Sequence, residues 1–382
     1  MQLIAAEAGQ VFLAPLTVGG QDFEVIIDTG SSDPWLISPN YTCIEVLSGD
    51  VQDPALCYFG PPYRNTSSTT YARIPNENFN ITYADMERLN GDMGFERFTM
   101  GGITVPRQKF ATVDYAAWYG DGYSSGLVGF AYGTLTSAYA GEDPTQDQRG
   151  GTRMYNPLFT NMYNLSLIAP VFSLAIDREP GSGGVLALGG IPNIPHSRGW
   201  ISATIESVGV FIGTTTPAYE FYSIDIDGFA YAANRRTQFN VYGNNNPRKR
   251  PIVAAGSAIV DSGTSLVYAP DAVAAGVAAA FRPPGAYDDD IGAYVVSCNA
   301  RPPLFGVSIS KKIFFVNAAD MIIQRSQTDC ISGIQPDHGG LTILGDVWMK
   351  NVLAVFDVGA SRMRFAAREY SGLTTVSRPA TT

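Results

Sequence analysis

Val25-Ile26-Ile27-Asp28-Thr29-Gly30-Ser31-Ser32 returns, in variant form, as Ala258-Ile259-Val260-Asp261-Ser262-Gly263-Thr264-Ser265. Each copy is an apolar, β-branched run followed by Asp, a small hydroxyl residue, Gly and two more hydroxyls. The apolar run predicts a buried strand. The Gly ends it in a tight turn and lets another backbone come close. The Asp then stands where a strand leaves the core, a place where a carboxylate is both held and partly buried. Asp-Thr/Ser-Gly alone occurs by chance in about one chain in five of this length, and a single copy reads as an ordinary Asx-turn. Two extended copies in one chain ask for a different account.

The repetition extends further. Gly126-Leu127-Val128-Gly129-Phe130 follows the first copy, and Thr342-Ile343-Leu344-Gly345-Asp346 follows the second. Together with Trp35, Ile81-Thr82-Tyr83, Phe172-Ser173-Leu174, Leu188-Gly189-Gly190 and Val355-Phe356-Asp357, this order of motifs resembles the pepsin-like (A1) aspartic endopeptidases of fungal type over nearly the whole chain. The resemblance implies a mainly β, bilobal fold of two related barrel-like lobes with a cleft between them. It places one catalytic Asp in each lobe, Asp28 and Asp261, with a water between them. Ser31 and Thr264 match the hydroxyls that bond the outer carboxylate oxygens, and Thr29 and Ser262 the residues that lock the two loops. Gly30, Gly263 and Ser265 match positions along bound peptide. Tyr83, Ala84 and Asp85 match the flap, Trp35 the indole that steadies it, and Trp118 and Leu127 pocket lining. Ordinary core packing is the competing reading for each aromatic.

A chain of 382 residues suits two domains better than one small core. The boundary is expected near Asp177–Gly184, where Pro and Gly break the apolar pattern, giving lobes of 1–178 and 179–382. Apolar residues reach 45% and charged residues only 16%, the composition of a turn-rich β protein. Lysine is confined to Lys109, Lys249, Lys311, Lys312 and Lys350. The formal charge of −10 disfavours nucleic acid and anionic membranes as partners, and it fits an acidic medium, where that charge fades. No Cys-x-x-Cys pair is present, which argues against zinc and thioredoxin-like chemistry. Four cysteines allow three pairings, and the repeat, with two in each half, favours Cys43–Cys57 and Cys298–Cys330 over free thiols. In a chain-entropy treatment each bridge contributes roughly 3–4 kcal/mol.

Sequons at Asn40, Asn65, Asn80 and Asn164, beside paired cysteines, point to a secreted glycoprotein rather than a vacuolar one. No secretory leader or membrane-length apolar run is evident. Relatives carry a leader and an inhibitory propeptide, so a mature form is inferred.

Strands are expected over residues 10–37 and a long surface loop over 40–70. A hairpin is expected over Asn78–Gly102, and half-exposed alternation over Tyr222–Asp227. Asn156–Asn164 reads as a helix with Asn156 as N-cap and Pro157 first, and Pro270–Phe281 as the clearest helix. Gly141–Gly151, the basic tip Gly243–Arg250, Asp288-Asp289-Asp290 and the tail Ser371–Thr382 read as solvated.

Peptide hydrolysis needs an activated water and a proton donor for the leaving amine. Two carboxylates at close range supply both when they share one proton. Unit charges about 3 Å apart repel by roughly 5 kcal/mol at an effective dielectric near 20. The resulting split of apparent pKa values is already established for aspartic-protease pairs. The implied partners are polypeptide substrates and pepstatin-type inhibitors, acting on a monomer with no metal or cofactor. The flap departs from the family pattern: Ala84-Asp85-Met86-Glu87-Arg88-Leu89-Asn90-Gly91 is bulkier than a Gly-rich tip and reads as one residue longer. A non-catalytic pepsin-fold binding or inhibitor protein is the alternative, and the intact Asp motifs weigh against it. His196 and His338 lack the contexts of a serine or zinc hydrolase.

Overall fold

The computed structural model describes residues 1–148, 150–178, 182–234, 240–242, 256–326 and 328–368. The chain separates into two compact units. The first comprises Met1–Pro170, Glu179–Gly189 and Ser207–Phe221; the second comprises Val171–Arg178, Gly190–Glu206 and Tyr222–Thr382. The chain thus crosses between units at 170/171, 178/179, 189/190, 206/207 and 221/222.

The first unit is built from β1 (Gln2–Ala6), β2 (Val11–Val18), β3 (Gln21–Asp28), β4 (Pro34–Ile44), β5 (Val51–Gln52), β6 (Ala72–Thr82), β7 (Arg88–Met100), β8 (Ile103–Ala117), β9 (Gly126–Gly129) and β10 (Ala138–Ala140). Six of these close a ring in the order β2-β3-β9-β4-β8-β7, and β7 returns to β2 through Leu16↔Met100 and Val18↔Phe98. Two pairs in the ring, β3–β9 and β4–β8, are parallel. Closure leaves these six strands no free edge. Leu13, Val18, Val25, Ile27, Leu36, Phe98, Phe110 and Val128 of these strands are all fully buried. β6 pairs outside the ring with β7 and β10, so the β6–β7 turn projects from the barrel.

The expected 40–70 loop is shorter than read: β4 continues to Ile44 and pairs with β5. Cys43 is bonded to Cys57. Helix α1 spans Leu158–Asn164, with Pro157 rather than Asn156 as its N-cap, so it starts one residue later than expected. Pro157 supplies the carbonyl for Asn161 N–H, while the Asn156 carbonyl is taken by the side chains of Gln108 and Asn161.

The second unit repeats the central crossing of the first. Strand Ser257–Val260 runs parallel to Ile343–Leu344, which pairs antiparallel with Val267–Ala269, itself parallel to Ile334–Pro336. That is the pattern β3–β9–β4–β8 again. Helix α2 (Asp271–Ala280) lies within the expected span. Tyr222, Ile224 and Ile226 are buried and Asp225 is exposed, as alternation requires, although the strand itself is only Ser223–Asp225. Phe172 stacks on Phe356 at 4.3 Å, with Tyr222 edge-on to Phe356. Arg178 forks onto the buried Asp320, which also accepts from Asn351. Cys298 is bonded to Cys330. Asp288 accepts N–H bonds from Asp290 and Ile291, and among the described residues no acidic or Cys/His group could hold a metal. No helix among them is long and apolar enough to cross a membrane. The expected basic tip 243–250 and the tail 371–382 lie outside the described residues.

Candidate active site

Asp28 ends β3 opposite Gly129 of β9. The chain then leaves the sheet and folds back on the carboxylate. Gly30 N–H donates to Asp28 Oδ1 at 2.7 Å, and the Ser31 hydroxyl donates to Oδ2. The β9 extension clamps this loop: Phe130 N–H donates to the Asp28 carbonyl at 2.7 Å and Ala131 N–H to that of Ser31 at 2.8 Å. Ser32 Oγ donates to the Tyr132 carbonyl at 2.6 Å. A β-carbon on Gly129 would lie 2.5 Å from the Ser32 backbone, so the apolar-apolar-Gly motif needs its glycine for close approach.

The second unit builds the same frame from different residues. Gly263 N–H donates to Asp261 Oδ1 at 2.9 Å, and Thr264 Oγ1 donates to Oδ2 at 2.6 Å. Asp346 N–H reaches the Thr264 carbonyl at 2.8 Å, and a β-carbon on Gly345 would lie 2.2 Å from the Thr264 and Leu266 carbonyl oxygens. Asp28 and Asp261 are both buried, as are Thr29 and Ser262 beside them. Each carboxylate thus receives a backbone N–H on one oxygen and a hydroxyl on the other.

The flap is a tight turn. Tyr83 N–H donates to the Glu87 carbonyl at 2.8 Å, and Met86 N–H to the Tyr83 carbonyl at 3.1 Å, with Met86 left-handed at φ 76°. Only Ala84, Asp85 and Met86 form the loop. Arg88–Gly91, read from sequence as part of a longer tip, pair within β7 with Phe79–Thr82 of β6. Asp85 is exposed. Trp35 Nε1 donates to the Tyr83 hydroxyl at 2.9 Å. Burial pushes the Tyr83 hydroxyl well above its ordinary range; the Asp28 charge adds to this and the Trp35 N–H opposes it. Trp118 is buried edge-on to Trp35 at 5.1 Å and to Tyr83 at 5.8 Å. Leu127 is buried in the same cluster. Both therefore sit in core packing at the foot of the flap.

Two acids escaped the sequence reading. Asp33 is fully buried; it accepts Tyr155 Oη–H at 2.5 Å and Ser137 N–H at 3.0 Å. Burial pushes its carboxyl up to about 6 against these donors. Tyr155 also lies under Lys109, whose ammonium pairs with the buried Glu77. The only sequence signal was an acid directly after the Asp-Thr-Gly-Ser-Ser run. Glu87, at the end of the flap turn, is buried and accepts Tyr119 N–H at 2.6 Å. Among the sequons, Asn40, Asn65 and Asn164 are exposed. Asn80 instead donates to Asp147 at 2.9 Å and Pro144 O at 3.2 Å, and accepts from Asn90 at 2.9 Å.

Comparison with known proteins agrees with this arrangement. Residues 11–368 match the family described as eukaryotic aspartyl protease. The chain is 41% identical, over 96% of its length and 80% of the relative's, to a probable aspartic-type endopeptidase of Aspergillus fumigatus. It is 26% identical to rhizopuspepsin of Rhizopus chinensis (93% of this chain, 78% of the relative) and 24% identical to an acid protease of Saccharomycopsis fibuligera (94% and 81%). With a family match this long, and the Asp loop built twice over parallel strand pairs, the chain belongs to the eukaryotic aspartyl proteases, the pepsin-like aspartic endopeptidases.

Proposed function

We propose that Asp28 and Asp261 act as a pair on one water molecule to hydrolyse peptide bonds at acidic pH. The observation that carries this is the duplicated frame: in each unit a Gly N–H holds Oδ1 and a hydroxyl holds Oδ2 of a buried Asp. Two carboxylates that share one proton have both functions the reaction needs. The ionised one takes a proton from water as the water oxygen bonds to the peptide carbon. The protonated one gives its proton to the carbonyl oxygen. In the second stage the amide nitrogen receives a proton, the C–N bond breaks, and acid and amine products leave with the pair returned to one proton.

Tyr83 closes the flap over the substrate, steadied by Trp35, and Gly30 and Gly263 lie along the peptide backbone. Hydrophobic residues flank the cleaved bond. Asp85, exposed at the flap tip, accepts a substrate lysine on the amino side of that bond. Pepstatin-type compounds inhibit the enzyme, and it acts as a secreted monomer.

The test is Asp28→Asn and Asp261→Asn, each assayed on denatured protein from pH 2 to 7. Both are expected to keep the fold and lose activity. Substantial turnover by either folded variant would sink the pairing. For lysine selection, Asp85→Ser is compared on peptides with Lys or Phe before the cut, and an unchanged Lys-to-Phe ratio of kcat/KM would remove Asp85 from specificity.

A further inference from the structure

Glu87 is a buried acid at the end of a hairpin turn, between β6 and β7. Its carboxyl accepts the Tyr119 N–H at 2.6 Å, which ties the turn to the segment that follows β8. Its side chain also hydrogen-bonds the Asp85 side chain. Its own N–H donates to Asp85 Oδ1 at 3.2 Å, and its carbonyl accepts Tyr83 N–H at 2.8 Å.

The charged groups that face it are acidic. Asp85 is on the same turn and Glu7 lies in the β1–β2 turn. Asp121 acts on Glu7, and Glu45 acts on Tyr119. Arg88, next in the chain, is exposed. Two carboxyl groups that hydrogen-bond each other need a proton between them, because two carboxylates have only acceptors. The buried member keeps that proton, since burial disfavours its charge more.

We propose that Glu87 is a positioning residue of the flap: as the neutral acid it accepts from the 119 amide, donates to Asp85, and so fixes both the height of the turn and the direction of the Asp85 carboxylate. Burial, with the Asp85 charge adding to it, pushes the Glu87 carboxyl up to about 9, so the clamp is closed throughout the acidic range. Asp85, held on Oδ1 by the Glu87 N–H, is thereby oriented as an acceptor for a cation. This inference rests on the reading of Asp85 as the lysine-selecting group, and it names the residue that makes that selection possible.

Gln has the shape of the neutral acid, with an oxygen for Tyr119 N–H and an amide N–H for Asp85; Ala has neither. Glu87→Gln and Glu87→Ala are therefore compared, each also combined with Asp85→Ser, on the Lys and Phe peptides at pH 3–6. Glu87→Ala is expected to lower the Lys-to-Phe ratio about tenfold, and Glu87→Gln to restore most of it. In the Asp85→Ser background the Ala change should leave the ratio where it is. An equal loss on both peptides, or a Gln variant as impaired in ratio as the Ala variant, would overturn the proposal.

Amide hydrogen exchange in the Asp28→Asn background separates the two readings. If Asp85→Ser alone leaves the ratio unmoved, lysine selection fails, and the clamp is judged by the Tyr119 amide. Faster exchange in Glu87→Ala but not in Glu87→Gln supports it; equal protection in both overturns it.

Discussion

Asp33 gives the most direct quantitative test, because a buried carboxyl without an ion-pair partner makes stability depend on pH in a calculable direction. Its pKa rises from the model-compound value of 3.8 to about 6. Below about pH 4 the group is protonated both folded and unfolded, and pH has no effect through it. Between about 4 and 6 the folded chain holds a proton that the unfolded chain has released, so stability falls as pH rises. Above about 6 both forms are ionised and the loss is complete. The shift of roughly 2 units corresponds to about 3 kcal/mol. Asn in this place cannot ionise. It offers an oxygen to Ser137 N–H and an N–H to the Tyr155 hydroxyl, so it copies the protonated acid. Urea unfolding of Asp33→Asn against its parent, both in the Asp28→Asn background to stop self-digestion, is expected to show little difference at pH 3.5. By pH 7 the Asn variant should be about 3 kcal/mol more stable relative to its parent. A difference that stays constant across this range would refute the argument, since it would mean that Asp33 titrates as it does in the unfolded chain.

Further outcomes follow from the site. Activity should peak in acid and decline towards neutrality as the Asp28/Asp261 pair loses its shared proton; a kcat/KM maximum above pH 7 would contradict this. Trp35→Phe keeps an aromatic ring, smaller than the indole, but removes the 2.9 Å donation to Tyr83. A net bond of about 0.5–1.5 kcal/mol predicts a 2- to 10-fold fall in kcat/KM, and an unchanged value would place that bond outside the working flap. Glycopeptide mapping of secreted protein should find sugar on Asn40, Asn65 or Asn164 and none on Asn80, whose amide is engaged on both its nitrogen and its oxygen. A glycan on Asn80 in folded, active enzyme would be the contrary result.

The parts of the site that were legible in the sequence are those whose geometry is local. A carboxylate, a Gly two residues on and a hydroxyl three residues on can form the Asp28 frame by themselves, and Asp261 repeats it. The distant Gly129 and Gly345 were legible because only a residue without a β-carbon fits against those loops. The segment exchanges at the unit boundary were not legible. Val171–Ile176 joins the second unit by pairing with Val352–Asp357, and nothing in its own apolar run names so remote a partner. Ser207–Phe221 joins the first unit through Tyr132 N–H on the Glu220 carbonyl and a Tyr132–Tyr219 stack. Asp33 gave no such local signal, because its partner Tyr155 stands 122 positions away. Glu87 looked like part of a polar tip, since period-2 patterning does not distinguish a solvated acid from one folded under its own turn.

Three buried acids of the first unit, Glu96, Asp33 and Glu87, fall into two kinds that make stability depend on pH in different ways. Burial works against the Glu96 charge, but donors from Ser68, Thr70, Arg97 N–H and Tyr63 outweigh it, and the carboxyl is held below its usual range. Glu96 therefore contributes stability above the ordinary Glu range and loses it as pH falls through its lowered value. At Asp33 and Glu87 burial wins instead: it outweighs the Tyr155 and Ser137 donors and the Lys109 charge at Asp33, and the Tyr119 N–H at Glu87. They weaken the fold progressively as pH rises from about 4 through about 6 for Asp33, and up to about 9 for Glu87. The charge of −10 at neutrality acts in the same direction as these two. An acid held by many donors limits the fold only in strong acid, whereas acids kept neutral by burial limit it from neutrality upward. Through Asp33 and Glu87 the first unit gains stability towards acid, the same direction in which the chemistry proposed for Asp28 and Asp261 is expected to be active.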